Sequence, residues 1–248
     1  MLDKVFNEDC LEGMKRIPDG SIDMILCDLP YGTTACKWDT IIPFEPLWEQ
    51  YLRVIKDNGA IVLFGSEPFS TKLRASMLEL YRYDWIWRKP KGSGFFQCGQ
   101  MPLKNHEIVS VFYKKAPTYN PQMAKGKPYK CRQGYVGEYL SGGKSDIVTE
   151  NDGYRYPVSV LSFPIDTGIH PTQKPTALLS YLIKTYTNEG ETVLDNCMGS
   201  GATAIACLHT KRHFIGFELE REYYNIIQSR IKRYLETNGK ASITDCYK

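Results

Sequence analysis

The stretch VLDNCMGSGAT, residues 193–203, joins a short apolar strand to a helix through a Gly-x-Gly turn. The strand ends in Asp195, and Gly199 and Gly201 leave the backbone bare, so the polar tail of a ligand can approach it closely. About twenty residues on, a second strand ends at Glu218, where a carboxylate can accept hydrogen bonds from the two hydroxyls of a ribose. These features predict a cofactor that contains a nucleoside, although a tight turn between strand and helix would also explain the glycines.

The turn favours one kind of nucleoside cofactor over another. A dinucleotide-binding turn has a third glycine, where this chain has Ala204. Asp195 would also repel a pyrophosphate, because both groups carry negative charge. A cofactor with a cationic amino-acid tail fits better, since the carboxylate can hold its ammonium group. S-adenosylmethionine is such a cofactor.

Outside this stretch, strand-like and helix-like segments alternate along most of the chain. Predicted strands cover 22–27, 60–64, 83–87, 106–113, 192–194 and 213–217, and predicted helices cover 46–56, 68–79, 176–186, the residues after Gly201, and 221–236. The pair Asn58-Gly59 is predicted to end the first of these helices. Between 114 and 164 the periodicity fails, and Gly, Pro, Tyr and Lys dominate. The alternation predicts an α/β fold with a doubly wound, mostly parallel sheet and a loop-rich insertion.

The composition is that of an ordinary globular protein. Of the 248 residues, 42% are hydrophobic and 24% are charged, which indicates neither disorder nor a fibrous structure. No stretch approaches the roughly eighteen apolar residues of a membrane span, and we expect no signal peptide. Eight scattered cysteines without a Cys-x-x-Cys pair predict reduced thiols in a cytoplasmic protein, and we expect no metal site.

The net charge of +3 is unevenly distributed. Residues 88–144 contain eleven Lys and Arg but only two acids, so this section carries +9 and the remainder carries −6. Aromatic residues, including Phe95 and Phe96, are interleaved with the basic ones. A solvated lysine-rich loop would show the charge alone, but the aromatic rings favour nucleic acid as the partner of this section.

Three motifs carry a resemblance to a known family: DLPY at 28–31, HPTQKP at 170–175 and LDNCMGSGAT at 194–203. The chain resembles the β-class DNA amino-methyltransferases, whose catalytic motif is Asp-Pro-Pro-Tyr and whose cofactor motif is Asp-x-Phe-x-Gly-Ser-Gly. The order is also similar, with the catalytic motif first and the cofactor motif last. The resemblance implies a Rossmann-like methyltransferase domain over residues 1–113 and 165–248, with a target-recognition insertion over 114–164.

The resemblance implies a role for each residue of DLPY. Asp28 and the backbone carbonyl of Leu29 would accept hydrogen bonds from the two N–H groups of an exocyclic amine and direct its lone pair toward the methyl group. Pro30 stiffens the turn, and Tyr31 stacks on a base rotated out of the duplex. Leu29 replaces a proline of the family, which is tolerable because only its carbonyl acts. Cys197 stands where the family has phenylalanine, which changes one packing contact.

The resemblance also implies a set of residues that bind S-adenosylmethionine. Asp9 and Cys10 belong to a segment similar to the family's adenine-binding motif. His170, Thr172 and Lys174 belong to the segment that closes over the methionine end. The full predicted set is Asp9, Cys10, Asp28, His170, Thr172, Lys174, Asp195, Cys197, Gly199, Ser200, Gly201 and Glu218.

The first residue of the DLPY motif bears on the choice of target base. An aspartate at the start of the motif resembles the adenine-N6 enzymes, whereas cytosine-N4 enzymes more often begin with serine, so we expect methylation of adenine in duplex DNA. Cytosine-N4 methylation is the main alternative, and RNA bases or protein amides are less favoured. Methylation at carbon 5 of cytosine is disfavoured because no Pro-Cys pair occurs.

The partners follow from the same resemblance. Double-stranded DNA is expected, whereas a homodimer and a cognate restriction enzyme are left open by the sequence. A DNA-binding protein without activity is the competing class, but such a protein would be expected to lose Asp28 or the glycine turn, and both are present.

Overall fold

The computed structural model describes residues 1–34, 36, 39–132, 148–166 and 173–238. Within these residues, eight strands form one sheet and four short strands form two separate pairs. The strands are β1 (Lys4–Phe6), β2 (Ile22–Asp28), β3 (Ile55–Gly65), β4 (Tyr81–Ser93), β5 (Lys104–Phe112), β6 (Ala124–Lys125), β7 (Tyr129–Arg132), β8 (Val148–Asn151), β9 (Tyr154–Arg155), β10 (Val160–Ser162), β11 (Thr192–Asp195) and β12 (His213–Phe217). The helices are α1 (Cys10–Met14), α2 (Phe44–Val54), α3 (Phe69–Ser76), α4 (Thr176–Tyr186), α5 (Ala202–Thr210) and α6 (Arg221–Asn238).

The strand order of the large sheet is β1-β12-β11-β2-β3-β5-β4-β10. β5 runs antiparallel to its neighbours β3 and β4, and the other neighbouring strands pair in parallel. The predicted α/β fold with a mostly parallel sheet is therefore confirmed. The sequence-based prediction missed the short strands β1 and β10 at the two edges, because three residues carry little periodic signal.

The central strand β2 shows why helices cover both faces of the sheet. Successive side chains of a strand point to opposite faces, and the middle of β2 is apolar in both sets. Met24 and Leu26 pack in the same core as residues of α4 and α5, whereas Ile25 and Cys27 pack in the same core as residues of α2. All four side chains are buried. A strand without a polar face stays dry only when both faces are covered, as in a doubly wound fold.

The predicted helix end at Asn58-Gly59 is wrong. Helix α2 ends at Val54, and β3 begins with the next residue. The pairing between β2 and β3 is irregular at this point, since Ile22 pairs with Ile55 but Met24 pairs with Ala60. A Cβ atom on Gly59 would lie 2.9 Å from the carbonyl oxygen of Asp23. The glycine therefore allows a close approach of two backbones at a bulge and does not cap a helix.

The described chain divides into two compact units. The larger unit comprises residues 1–120 and 159–248, and it contains the eight-stranded sheet. The smaller unit, Pro121–Val158, contains the pairs β6–β9 and β7–β8, and its Arg155 guanidinium lies 4.5 Å from the centre of the Tyr129 ring. Residues 114–120 and 159–164, placed in the insertion by the sequence, belong to the larger unit, where β10 pairs with β4.

None of the described helices combines the length and apolar character that a bilayer crossing requires.

Candidate active site

The carboxyl ends of four strands meet at one edge of the large sheet. β2 and β11 are parallel neighbours, with Met24 paired to Val193, so Asp28 and Asp195 end adjacent strands. The two polar motifs, which are far apart in sequence, therefore lie beside each other. On the outer sides, Phe64 of β3 pairs with Asp28 and β12 is followed by Glu218. In open α/β sheets, ligands bind at such an edge.

Above this edge lies a cleft of about 430 Å³. Predicted site residues that line it are Asp9, Cys10, Asp28, Leu29, Pro30, Tyr31, Lys174, Cys197, Gly199 and Glu218. An adjoining cavity of about 50 Å³ shares Asp28, Lys174, Cys197 and Gly199 with the cleft, and it is also lined by Asp195, Ser200 and the buried ring of Phe64.

Three predicted residues differ from the rest. Gly201 lines neither space. It has a φ of +79°, and a Cβ atom there would meet the Ile227 side chain at 3.0 Å, so its glycine serves the turn into α5. His170 and Thr172 lie outside the described residues.

Asp28 is held by two side chains in this structure. The Tyr31 hydroxyl donates to Asp28 Oδ1 over 2.6 Å, and the Lys174 ammonium group contacts Oδ2. Burial raises the pKa of the Asp28 carboxyl, and the nearby Lys174 charge opposes this rise. Burial and the neighbouring Asp28 charge raise the pKa of Tyr31, so its phenol keeps the proton that it donates. Tyr31, which belongs to the same turn as Asp28, therefore orients the Asp28 carboxylate.

Glu107 and Lys89, which the sequence did not single out, extend this arrangement of charged groups around Asp28. Lys174 Nζ lies 3.2 Å from Glu107 Oε2, and Lys89 contacts Glu107 Oε1. Lys174 and Glu107 are 7% and 9% exposed, so both charges are buried. Glu107 reaches this edge because β5 is antiparallel, which brings the start of β5 beside the end of β3, with Ile108 paired to Gly65. In the sequence it is only an acid within a basic section.

The loop after DLPY is anchored by a further residue that the sequence did not single out. Asp39 accepts hydrogen bonds from the backbone N–H groups of Gly32, Thr33 and Thr34 at 2.8, 2.9 and 2.7 Å. Burial opposes ionisation, but these N–H groups hold the pKa of the Asp39 carboxyl below its ordinary value. Gly32 has a φ of +66°, which favours glycine. Asp39 thus fixes the path of the chain as it leaves Tyr31.

The glycine turn after β11 is tied to the end of β12. Gly199 N–H donates to Glu218 Oε2 over 2.7 Å, and Glu220 N–H donates to Oε1 over 2.9 Å. Burial raises the pKa of Glu218. Apart from Gly199 itself and its two neighbours in the chain, no described atom lies within 4 Å of the position that a Gly199 Cβ would occupy, and the φ of +53° favours glycine. The turn therefore leaves open space above bare backbone.

The acid at the end of β11 is buried beneath this turn. Asp195 is 3% exposed, and its Oδ1 accepts a hydrogen bond from the Cys197 N–H over 3.1 Å. Burial raises the pKa of Asp195 to about 6, while a hydrogen bond from Thr203 opposes the rise. A buried carboxylate can be stabilised further by a cationic ligand.

The remaining wall of the cleft is built around α1. Asp9 caps this helix, because its Oδ1 accepts from the backbone N–H groups of Leu11 and Glu12 at 2.8 and 3.3 Å. Asn196 Nδ2 lies 3.6 Å from Cys10 Sγ and 3.5 Å from Cys197 Sγ. The two thiols thus lie near each other at the cleft. Among the described residues, no group of three or more His, Cys, Asp or Glu side chains is arranged to hold a metal ion.

Comparison with known proteins agrees with this geometry. The family model described as DNA methylase, of the N6/N4 type, matches residues 22–229. The chain is 28% identical over 250 residues to the Type II methyltransferase M.HpaI of Haemophilus parainfluenzae, covering 96% of this chain and 76% of that protein. It is 29% identical over 254 residues to the Type II methyltransferase M2.MboI of Moraxella bovis, covering 91% and 86%.

Solved structures share the fold. The M1.HpyAVI–SAM complex has a TM-score of 0.62 at 24% identity and covers 92% of this chain and 98% of that chain. The cytosine-N4-specific PvuII DNA methyltransferase has a TM-score of 0.67 at 15% identity and covers 92% and 85%.

The fold, the glycine turn and the polar cleft at the ends of β2 and β11 define the class of α/β methyltransferases. Because the family model spans most of its length, this chain belongs to the N6/N4 DNA methylases, the S-adenosylmethionine-dependent amino-methyltransferases of DNA.

Proposed function

We propose that this protein transfers a methyl group from S-adenosylmethionine to the N6 amine of adenine in duplex DNA. The observation that carries the proposal is the position of Asp28, which opens DLPY in the cleft directly beside the strand that ends at Asp195. An aspartate at this position resembles the adenine-N6 enzymes. Cytosine-N4 methylation uses the same amine chemistry and is the alternative that a product analysis must separate.

The residues of the cleft fit S-adenosylmethionine. Glu218 has one further lone pair on each oxygen, after accepting from Gly199 and Glu220, with which to accept from ribose hydroxyls. The buried Asp195 carboxylate suits the ammonium group of the methionine end, and the open space above Gly199 and Ser200 suits its chain. When bound, the cofactor supplies an electrophilic methyl group on a sulfonium.

The other assigned cofactor residues complete the proposed site. Asp9 and Cys10 would border the adenine ring of the cofactor, beside Cys197. Lys174 enters the cleft, and the preceding His170 and Thr172 are proposed to close over the methionine end, as the sequence motif suggests.

The protein's own part in the reaction is to hold the target amine. Asp28 accepts a hydrogen bond from one N–H group and the Leu29 carbonyl accepts from the other, which draws the nitrogen toward tetrahedral geometry and localises its lone pair. The Leu29 side chain is buried, which keeps its backbone in place, and Pro30 restricts the turn. The Tyr31 ring, backed by Phe69 at 5.1 Å between ring centres, offers a face on which the rotated base stacks.

The methylated nitrogen must then lose one proton. We propose that Asp28 accepts this proton, because its carboxylate already accepts a hydrogen bond from the amine. Burial raises the pKa of Asp28 and so makes it a better proton acceptor than an exposed aspartate. Release of that proton to solvent restores the carboxylate for the next turnover.

Duplex DNA is the proposed partner, supported by the basic section of the sequence. At the connection from β4 to β5, Phe95 and Phe96 are 73% and 107% exposed, and residues 88–104 contain four basic residues and no acid. Exposed rings among positive charges suit stacking on bases next to phosphates. The insertion over 114–164 is proposed to choose the target sequence, because it is basic and rich in tyrosine. Exchange with the equivalent stretch of a relative should change the methylated site.

Two further partners, a restriction enzyme and a second copy of this chain, are proposed from similarity to other proteins alone. The relatives named above are Type II methyltransferases, so a cognate restriction enzyme that cuts the same unmethylated site is expected for this chain too. A homodimer is proposed on the resemblance to the family alone.

The experiment that tests the proposed function identifies the methylated nucleoside. The protein is incubated with S-adenosylmethionine and unmethylated mixed-sequence duplex DNA, and the DNA is digested for mass analysis. Detection of N6-methyldeoxyadenosine supports the proposal. N4-methyldeoxycytidine would overturn the choice of base, and cofactor binding without any DNA product would direct the search to RNA or protein amides.

A further inference from the structure

A row of charged groups, Lys89, Glu107, Lys174 and Asp28, runs into the cleft, and its two middle members, Glu107 and Lys174, are buried. Lys174 Nζ contacts Asp28 Oδ2 and lies 3.2 Å from Glu107 Oε2, while Lys89 holds the other oxygen of Glu107. The row contains two ammonium groups and two carboxylates, so its charges balance. Although burial opposes ionisation, the two ammonium groups hold the pKa of Glu107 below its ordinary value.

This arrangement conflicts with the binding of a target amine. Tyr31 occupies Asp28 Oδ1 and Lys174 occupies Oδ2, so an incoming amine must displace or share one of these contacts. A buried ammonium group that loses its anion is strongly destabilised. Lys174 is only 7% exposed and can therefore leave Asp28 only if another anion receives it.

Glu107 is arranged to be that anion. Its Oε2 atom is buried and makes no hydrogen bond of standard geometry within the described part of the chain, although Lys174 Nζ is only 3.2 Å away. Lys89 keeps the Glu107 side chain in place from the opposite side. A small movement of the Lys174 ammonium group would thus exchange one carboxylate partner for another.

We propose that Glu107 is a positioning residue, which receives the Lys174 ammonium group when the target amine takes the Asp28 carboxylate. The inference rests on the proposed function, because it assumes that Asp28 holds the amine. In the free protein Lys174 pairs with Asp28 and holds its carboxyl group in place, and in the DNA complex it moves to Glu107. The Asp28 oxygen then becomes available without leaving a buried charge unpaired.

The first test is Glu107→Gln, which keeps the size of the side chain and removes its charge. Lys174 then has Asp28 as its remaining anionic partner in this row. We expect kcat to fall roughly tenfold or more, with cofactor Kd within about twofold of the wild-type value. Glu107→Asp, which keeps the charge, should recover part of kcat. Asp57→Asn, in an exposed ion pair with Lys115, is the matched control and should leave kcat unchanged.

A double variant gives the sharper readout. If Lys174 obstructs Asp28 once Glu107 is neutral, then adding Lys174→Met should raise kcat above that of Glu107→Gln alone. This recovery should require a higher pH than the wild type needs, because Asp28 must be ionised and has lost its ammonium neighbour. The groups that face Asp28 are Lys174, Glu107, Tyr31 and Asp195. A purely structural role for Glu107 predicts the opposite result, a further loss.

The outcomes separate this inference from the proposed function. If the wild type makes no methylated nucleoside, the proposed function is wrong. If the wild type is active and Glu107→Gln keeps wild-type kcat, or if the double variant is no faster than Glu107→Gln at any pH, only the inference about Glu107 is overturned. Thermal melting of each variant shows whether it is folded. Should Glu107→Gln fail to fold, Glu107→Asp tests the inference by itself, because its shorter carboxylate receives Lys174 less well and should lower kcat partway, and a wild-type kcat in this variant would overturn the inference.

Discussion

The Tyr31 hydroxyl donates a hydrogen bond of 2.6 Å to Asp28 Oδ1, three residues earlier in the chain. The ring that is proposed to stack on the target base therefore also orients the carboxylate that is proposed to hold its amine. Stacking and amine orientation are thus coupled through one side chain, and the two roles can be separated by substitution.

Tyr31→Phe should keep the stacking face and lose the hydrogen bond. A hydrogen bond to a charged group contributes about 1.5–3 kcal/mol, so we expect kcat to fall by roughly ten- to a hundredfold with little change in KM for DNA. Tyr31→Ala should also raise this KM. Steady-state kinetics on one DNA substrate provides both parameters, and equal effects of the two substitutions on KM would argue against stacking on Tyr31.

Methyl transfer should fall at acidic pH through the protonation of Asp28. Burial raises the pKa of this carboxyl above its ordinary value of 3.8, and the ionised form is both the stronger hydrogen-bond acceptor and the form that can take up the amine proton. The rate of a single turnover should therefore decline as pH falls toward this raised pKa, while DNA and cofactor are saturating. A rate that stays constant down to the ordinary pKa of aspartate would contradict this role.

Asp195→Asn should stabilise the free protein at neutral pH and weaken cofactor binding. The pKa of Asp195 is about 6 in the folded protein against an ordinary value of 3.8. A group with a raised pKa favours folding below 3.8 and loses that contribution as pH rises through about 6, by roughly 2–3 kcal/mol in all. Asparagine resembles the protonated acid and avoids the loss.

Denaturant unfolding checks this prediction at two pH values. Asp195→Asn should be more stable than the wild type at pH 8, and the difference should shrink below about pH 4. Calorimetry should meanwhile show weaker binding of S-adenosylmethionine. An asparagine variant that binds the cofactor as tightly as the wild type would remove Asp195 from the cofactor site.

Glu218→Gln should weaken cofactor binding more than a loss of charge alone explains. Glu218 accepts from the Gly199 and Glu220 N–H groups through its two oxygens, and an amide offers only one oxygen. The glycine turn therefore loses one of its ties, and we expect the Kd for S-adenosylmethionine to rise about tenfold or more. Glu222→Gln, at an exposed position on α6, is the matched control.

Replacement of both Phe95 and Phe96 by alanine should weaken DNA binding without affecting the fold. Both rings are exposed, so their loss removes little packing. Stacking on a base contributes about 1–3 kcal/mol, and we expect Kd for DNA to rise about tenfold while the Kd for cofactor is unchanged. Leu78→Ala removes an exposed apolar side chain elsewhere and should have no effect. Unchanged DNA affinity of the phenylalanine variant would exclude this connection from the DNA surface.

The fold was readable from sequence where local pattern and topology agree. The strands that end in Asp28 and Asp195 were recognised from apolar runs followed by polar turns, and parallel pairing then puts them at one edge. Asn58-Gly59 misled the prediction because the same dipeptide suits a helix end and a bulge, and only the pairing of β3 with β2 distinguishes them.

The site was only partly readable for a related reason. Glu107 lies on the antiparallel strand β5, and its proximity to Lys174 depends on the register between β5 and β3. No local motif encodes that register. Asp39 is likewise separated from the N–H groups of Gly32, Thr33 and Thr34 by a loop whose path the sequence does not specify. Contacts between distant residues are set by packing rather than by local sequence pattern.

The central claim is that Asp28 acts on the target amine, and Asp28→Ala tests it most directly when cofactor binding and methyl transfer are measured on the same preparation. We predict a Kd for S-adenosylmethionine within about threefold of the wild-type value, together with loss of methylated nucleoside from the DNA. Methyl transfer at the wild-type rate, or loss of cofactor binding in place of loss of turnover, would contradict the account.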